Sequence, residues 1–227
     1  MNTGILTSLS LPQAFTDPGA NTVVIAITSI VLIIAIVFFT VNYIKKQRES
    51  QRRVKMMTNI DEVTHLYKRR FFDNLFESEL ARAKRHNRHL SCAIIEIDNF
   101  DKLTEKFGRE FIDSVLQDTG EIFTDDTRIH DICARYNDSS FISLMPETDV
   151  DSAGYVCKRL RGLIEGSNFI EEETNRKVRV TVSIGLTAYE EDSEDDTTTT
   201  KDILAMSDKA LQKAKASGGN TVELYKG

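Results

Sequence analysis

Arg128 and Asp131 form an Arg-x-x-Asp segment whose residue types could take part in ligand recognition. A planar arginine guanidinium can bind a phosphate or the acceptor edge of a nucleobase through two N–H groups, and a carboxylate can accept from nucleobase N–H groups. The pair could therefore bind a small phosphate-bearing ligand. The alternative is a surface salt bridge between the two side chains, which requires no ligand.

The residues that follow Asp131 predict a β-hairpin. Residues 131–136 and 141–146 are apolar, β-branched and aromatic, and they flank the polar segment 137–140. An earlier apolar run, residues 90–98, ends in the acids Glu96 and Asp98 and predicts a buried central strand.

Apolar spacing predicts the remaining elements. One helix is expected around residues 111–123, a second around 153–164 and a third over 202–216, whereas residues 176–189 and 221–225 are expected to be strands and 190–200 a solvated acidic loop. The predicted fold is an α/β domain with a mostly antiparallel central sheet and helices on its faces.

The N-terminal region predicts a membrane anchor. Residues 23–41 carry no charge, and at about 1.5 Å per residue such a helix reaches about 28 Å, close to the roughly 30 Å of a bilayer core. We expect one transmembrane helix over residues 22–44, after a short extracytoplasmic segment, residues 1–21. A cleaved signal peptide and a buried helix are the alternatives; the first usually has a basic start and the second a polar face.

Flanking charge predicts the orientation of this helix. Asp17 is the only charged residue before it, whereas the segment after it is strongly basic; these basic residues are Lys45, Lys46, Arg48, Arg52, Arg53 and Lys55. The positive-inside rule places the C-terminal side in the cytoplasm, so we expect a single span of the inner (cytoplasmic) membrane. Residues 45–58 are expected to form a helical stalk, which permits a homodimer, and residues 59–227 one domain.

Composition narrows the class of protein further. The formal net charge is −6, which argues against a general nucleic-acid binder. Three cysteines, Cys92, Cys133 and Cys157, lie in separate apolar runs, and we expect reduced core residues rather than disulfides or metal ligands.

Five sequence blocks, in order from about residue 58, resemble the GGDEF domains of diguanylate cyclases. The first resembles the family's Asp-x-Leu-Thr-Gly-Leu opening, the second its Asp-x-Asp-x-Phe strand end, the third its Gly-His-x-x-Gly-Asp-x-x-Leu helix, and the others its late strand and last helix. The blocks are residues 61–71, 90–100, 108–116, 180–185 and 208–220. The resemblance implies a ferredoxin-like GGDEF fold.

The resemblance also implies that catalysis has been lost. Family members join two GTP molecules with the help of divalent metal ions, using a strand-end Asp and a hairpin turn that reads Gly-Gly-Asp/Glu-Glu. Here Glu96 stands at the strand end, and the turn positions are Asn137, Asp138, Ser139 and Ser140. A serine hydroxyl is a poor ligand for Mg²⁺. We therefore expect no enzyme activity, no resident metal and no cofactor.

Other substrate contacts of the family are only partly kept. By the resemblance, Thr104 replaces a guanine-reading Asn and Gly219 replaces a phosphate-binding Arg, whereas Asp113 and Lys215 are retained. The retained pair can equally be a surface acid and a solvated lysine.

The Arg-x-x-Asp segment falls where family members bind their product, cyclic di-GMP, at an inhibitory site outside the active site. Arg159 aligns with the arginine that completes that site. We therefore expect Arg128, Asp131 and Arg159 to bind cyclic di-GMP, in a membrane-anchored receptor that signals to or localises a cytoplasmic partner protein. One alternative is a nucleotide-independent interaction scaffold that keeps only the fold; a third, an active cyclase, is disfavoured by the losses.

Overall fold

A computed structural model describes most of the C-terminal part of the chain and a short N-terminal helical stretch. The described residues are 27, 30–34, 36–43, 59–171, 174–189 and 197–226. The chain divides into two compact units, Met1–Met57 and Thr58–Gly227.

The predicted membrane anchor is only partly described. The predicted segments 1–21 and 45–58 lie outside the described residues, as do parts of the predicted span 22–44. The described residues of that span are helical. Within the described part of the chain, no helix combines the length and apolarity that a bilayer crossing requires.

A six-stranded sheet forms the centre of the second unit, in the order β1-β3-β4-β2-β7-β8. Its strands are β1 (Tyr67–Lys68), β2 (Leu90–Ile97), β3 (Ile132–Arg135), β4 (Ser140–Pro146), β7 (Val182–Tyr189) and β8 (Val222–Leu224). The middle four strands are antiparallel neighbours, as expected, but β1 and β8 add parallel pairings at the two edges. The sheet is therefore mixed.

Two pairs of helices cover the two faces of this sheet. The helices are α1 (Arg69–His86), α2 (Phe100–Asp126), α3 (Val150–Gly166) and α4 (Thr200–Ala216). The side chains of β2 explain the arrangement, because Ala93, Ile95 and Ile97 pack with α2 and α3, whereas Cys92 and Ile94 pack with α1 and α4. Such two-sided burial is why residues 90–97 are almost continuously apolar.

The residues predicted as one strand over 176–189 form two strands in different sheets. β6 (Arg176–Val178) pairs with β5 (Phe169–Glu171) in a small hairpin, and only β7 joins the central sheet. The apolar pattern could not reveal this division, since β6 has only three residues and both β6 and β7 contain buried residues. The predicted loop 190–200 lies largely outside the described residues, and its last residue, Thr200, begins α4.

All three cysteines are buried free thiols, as expected. Burial raises the pKa of both Cys92 and Cys157 to about 12, and that of Cys133 to about 11. These thiols are therefore core groups that stay protonated and unreactive at neutral pH.

Gly185 permits the close packing of α4 on β7. A Cβ atom at this position would lie 2.2 Å from the carbonyl oxygen of Ser207 and 2.2 Å from the backbone nitrogen of Leu211. Both contacts are with helix backbone, which cannot move aside as a flexible side chain could. The Ser-Ile-Gly segment of β7 therefore holds α4, and Lys215 near its end, at a fixed distance from the sheet.

Gly185→Ala should destabilise the fold by at least the roughly 1–3 kcal/mol typical of an overpacked core. The physical reason is that α4 must separate from β7 to admit the methyl group. Denaturant unfolding measured by circular dichroism checks this expectation.

Gly162→Ala is the matched control, because Gly162 lies in α3 and a Cβ there meets nothing within 4 Å. Alanine should be neutral or stabilise α3 by up to about 1 kcal/mol. Equal stability of the Gly185 variant and the wild type would contradict this account of α4 packing.

Candidate functional site

Glu96 lies at the end of the central strand, where it is tied to the last helix. In the sheet register it stands between Ser140 of β4 and Ser183 of β7. The ammonium Nζ of Lys215 lies 2.7 Å from Glu96 Oε1, with 40% and 21% of the two side chains exposed. Lys215 is therefore ion-paired rather than freely solvated, and the pair neutralises the strand-end carboxylate.

The hairpin turn between β3 and β4 is closed by its own side chains. Asn137 Oδ1 accepts from the backbone N–H of Ser139 at 3.0 Å and from its hydroxyl at 3.3 Å. Arg135 donates from Nε to the Asn137 carbonyl at 2.8 Å and from Nη2 to the Asp138 carbonyl at 2.7 Å. Asn137 and Asp138 are exposed. The turn is thus an Asx-type turn with an arginine holding its carbonyl groups.

Arg135 is not among the site residues predicted from the sequence, although an arginine two residues before a predicted turn was a usable signal. Burial lowers the pKa of its guanidinium, and the carboxylate of Asp61, 3.9 Å from Nη1, opposes that effect. Its role is to connect the turn to the start of the domain.

Ser140 belongs to strand β4 and not to the turn, which corrects the predicted turn 137–140. It is buried, and its hydroxyl has no hydrogen-bond partner among the residues that the structure describes. The backbone carbonyl of Ser140 accepts from the N–H groups of Tyr136 and Asn137 at 2.9 and 3.2 Å. Because these bonds close the hairpin, Ser140 is the first residue of β4 and takes part in its backbone hydrogen bonding.

Thr104 and Asp113 both lie on α2 but on different sides of a break in it. Gly108, with φ +79°, interrupts the helix between them. The Thr104 hydroxyl donates to the Phe100 carbonyl at 2.9 Å, and Asp113 pairs with Arg109 at 3.0 Å. Each side chain is therefore satisfied within its own helix, and Asp113 is a surface acid.

Asp98 is an organising residue whose role the sequence reasoning missed. Its carboxylate accepts from Thr181 Oγ1 at 2.7 Å, from Ser183 Oγ at 2.6 Å and from the backbone N–H of Asn220 at 2.9 Å. A Cβ on Gly219 would lie 3.1 Å from this carboxylate. Glycine at position 219 therefore leaves room for Asp98 to hold β2, β7 and the end of α4 together.

The Arg128–Asp131 segment forms a tight turn that follows α2. The backbone N–H of Arg128 donates to Asp131 Oδ2, and the N–H of Asp131 donates to the Arg128 carbonyl, both at 2.9 Å. Burial raises the pKa of the Asp131 carboxyl, and the Arg128 N–H bond and the charges of Arg128, His130 and Arg159 oppose that rise. Asp131 is thus held by the backbone, not by the guanidinium predicted in the salt-bridge alternative.

Arg159 of α3 lies at the same place, beside the end of α2. Its Nε lies 2.7 Å from Asp126 Oδ2, and its Nη2 lies 2.7 Å from the Asp126 carbonyl oxygen. Within the described part of the chain, neither Nη1 of Arg159 nor the exposed Arg128 guanidinium has a hydrogen-bond partner. The structure therefore brings Arg128, Asp131 and Arg159 together and leaves N–H donors available for a ligand.

Residues 58–221 match the family described as diguanylate cyclase, GGDEF domain. Diguanylate cyclase A of Treponema denticola is 32% identical over 175 residues, which are 75% of this chain and 45% of that protein. The response regulator PleD of Caulobacter vibrioides is 30% identical over 71% of this chain and 35% of its own length. The chain thus spans less than half the length of these two relatives.

Among solved structures, this chain is similar to the GGDEF domain of DgcB from Caulobacter crescentus in complex with c-di-GMP. The two superpose with a TM-score of 0.69 at 20% sequence identity. The match covers 74% of this chain and 94% of the DgcB chain. This likeness concerns the fold, with its mixed central sheet and flanking helices. Together with the match over residues 58–221, it shows that the chain belongs to the GGDEF family.

Proposed function

We propose that this chain is a membrane-anchored receptor for cyclic di-GMP, built on a GGDEF domain that no longer joins GTP molecules. The observation that carries the proposal is the convergence of Arg128, Asp131 and Arg159 beside the end of α2, with guanidinium N–H groups still available. The complex of the DgcB GGDEF domain with c-di-GMP supports the choice of ligand. The ligand-bound state would then act on, or localise, a cytoplasmic signalling protein.

The charges at this place suit a ligand with two phosphates and two guanine bases. Arg128 and the Nη1 group of Arg159 can donate to phosphate or to guanine oxygen and nitrogen acceptors, and Asp131 Oδ1 can accept from guanine N–H groups. Asp131 Oδ2 remains engaged by the Arg128 N–H at 2.9 Å, so the carboxylate is already oriented. Preorganisation of this kind reduces the entropy lost on binding.

The strand-end residues support the loss of turnover. A divalent metal would find one carboxylate, Glu96, already paired with Lys215, and two serines in place of the turn acids. Hard cations need several oxygen ligands, usually carboxylates, so this donor set does not fit Mg²⁺. The same ion pair occupies the lysine that would otherwise contact a nucleotide phosphate.

The scaffold alternative also has an observation in its favour. Arg159 is already bound to Asp126, and Asp131 is already bound to the Arg128 backbone, so both contacts hold the fold without a ligand. In that case the three residues would only connect α2, the turn and α3. A measurement of cyclic di-GMP binding distinguishes the receptor from the scaffold.

Membrane anchoring is part of the proposal. The described helical residues 30–34 and 36–43 are all exposed, and most are Ile, Val, Leu or Phe. The Thr40 hydroxyl donates to the Ile36 and Val37 carbonyls at 2.9 Å, so it needs no outside partner. A helix that is apolar on all sides favours a lipid environment.

Arg128→Ala should weaken cyclic di-GMP binding by about 10- to 150-fold. Charged hydrogen bonds contribute roughly 1.5–3 kcal/mol each, and each 1.4 kcal/mol is a factor of ten. Asp131→Ala should also weaken binding, and Arg159→Ala should have a milder effect because Asp126 already engages that side chain. Calorimetry on the full chain in detergent measures these affinities.

Arg82→Ala is the matched control, since Arg82 is an exposed arginine in surface ion pairs with Glu79 and Glu147. It should bind like the wild type. Absence of binding in the parent chain, or equal affinity in the Arg128 variant, would support the scaffold instead.

The purified chain should form no cyclic di-GMP from GTP with Mg²⁺ or Mn²⁺, as followed by chromatography of the nucleotides. Restoring Gly-Gly-Glu-Glu across residues 137–140 should rescue little activity, because Thr104 and Gly219 remain altered. Steady product formation that Glu96→Ala abolishes would show that the domain is an active cyclase.

The basic residues that follow the apolar segment predict a cytoplasmic C-terminus. A cytoplasm-dependent reporter fused after Gly227 should be active, and the chain should sediment with membranes after carbonate washing. A fusion that is active only outside the cytoplasm would contradict this orientation.

A further inference from the structure

Helices α2 and α3 run antiparallel, which determines what lies on each side of Arg159. Arg159 contacts Asp126 in the last turn of α2. Farther along α3, Leu163 and Ser167 share a groove with Ile122 and Asp118, which lie earlier in α2. Moving from Arg159 toward the start of α3 therefore passes the end of α2 and reaches the level of the 128–131 turn.

Tyr155 is the residue of α3 that lies at the level of the 128–131 turn. It precedes Arg159 by four residues in α3, so the two side chains lie on the same helix face, about one 5.4 Å turn apart. Tyr155 is 75% exposed, and no partner for its ring or hydroxyl is found among the described residues. Ile129, at the tip of the neighbouring turn, is 94% exposed.

The groove on the other side of Arg159 has the opposite character. Its α2 wall is acidic and carries Asp118, Glu121, Asp125 and Asp126. Burial, followed by the charge of Glu121, raises the pKa of the Asp118 carboxyl. A ligand with two phosphates is repelled from this groove and favoured on the side of Tyr155, where Arg128 adds a positive charge.

An exposed aromatic ring one helical turn from the Arg159 guanidinium, at the level of the turn that carries Arg128, suits nucleotide binding. Nucleobases stack on aromatic side chains, while arginines engage the phosphates and the base edges. Tyr155 supplies the flat surface that Ile129 cannot. A single exposed apolar residue needs no explanation, but here Tyr155 and Ile129 are both exposed at the level of the turn that carries Arg128.

We propose that Tyr155 is a guanine-stacking residue of the site formed by Arg128, Asp131 and Arg159, and that it selects a base-containing ligand over a simple phosphate compound. This inference rests on the proposed function, since it deepens the same site. Tyr155 makes the base contact, whereas the arginines make the charged contacts.

The absence of tryptophan from this sequence allows a direct test. Tyr155→Trp places a single tryptophan in the full chain, and its fluorescence should be quenched as cyclic di-GMP is added. Leu163→Trp is the matched control, because it lies on the same helix and on the acidic side of Arg159. Its fluorescence should not change with ligand.

Affinity measurements complete the test. Tyr155→Phe should keep wild-type affinity, and Tyr155→Ala should lose about 5- to 150-fold, the range expected for one base–aromatic stack. Inorganic pyrophosphate, which has no base, should bind the wild type and Tyr155→Ala equally weakly.

Three outcomes are informative in different ways. If the parent chain does not bind cyclic di-GMP, both the proposed function and the stacking role are wrong. If the parent binds and Arg128→Ala does not, but Tyr155→Ala binds normally and Tyr155→Trp is not quenched, only the stacking role is wrong. Quenching in Leu163→Trp alone would place the ligand in the acidic groove and would also overturn the stacking role.

Discussion

The carboxylate of Asp98 is the interaction on which the arrangement of this domain depends. It follows the central strand and receives hydrogen bonds from Thr181, Ser183 and the Asn220 backbone, so it connects β2 to the start of β7 and to the turn before β8. Without an anion at this position, three hydrogen-bond donors from distant segments would have no acceptor. Asp98 is half-buried, and leaving hydrogen-bonding groups that are shielded from water without a partner generally costs more than the bond itself contributes.

The two candidate sites of the domain differ in how well their charges are satisfied. At the end of β2, Lys215 neutralises Glu96, and Asn137 and Arg135 close the hairpin turn internally. Beside the end of α2, the Arg128 guanidinium and the Nη1 group of Arg159 have no acceptor in the described part of the chain, although Nε and Nη2 of Arg159 donate to Asp126. An unsatisfied cationic site favours an anionic ligand, whereas a neutralised one offers it little.

The shape of the β3–β4 hairpin depends little on the side chains of Ser139 and Ser140. Ser140 keeps the ladder bonds of β4 because those bonds use its backbone, although its hydroxyl is left without a partner among the described residues. Ser139 is held by Asn137 in a turn that needs no glycine there. The hairpin can therefore retain its shape, since that shape depends on backbone pairing and on Arg135 rather than on the acids that the family uses.

The sequence alone determined the elements that rest on local patterns. The buried strand β2, the β3–β4 hairpin, three of the helices and the burial of the cysteines follow from periodicity and turn residues, which act between near neighbours. Helix α1 carries the same signal in the spacing of Phe72, Phe76 and Leu80, although no helix was predicted there. The resemblance to the family also predicted that Arg128, Asp131 and Arg159 belong to one site.

The contacts between side chains that are distant in sequence follow from the tertiary packing and not from local patterns. The pairing of Lys215 with Glu96, of Arg159 with Asp126, and of Asp98 with three donors joins residues that are far apart in sequence. The same holds for the split of residues 176–189 between two sheets and for the edge strands that make the central sheet mixed. Charge and hydropathy show which residues need partners, but the choice among many partners is made by the packing of helices on the sheet.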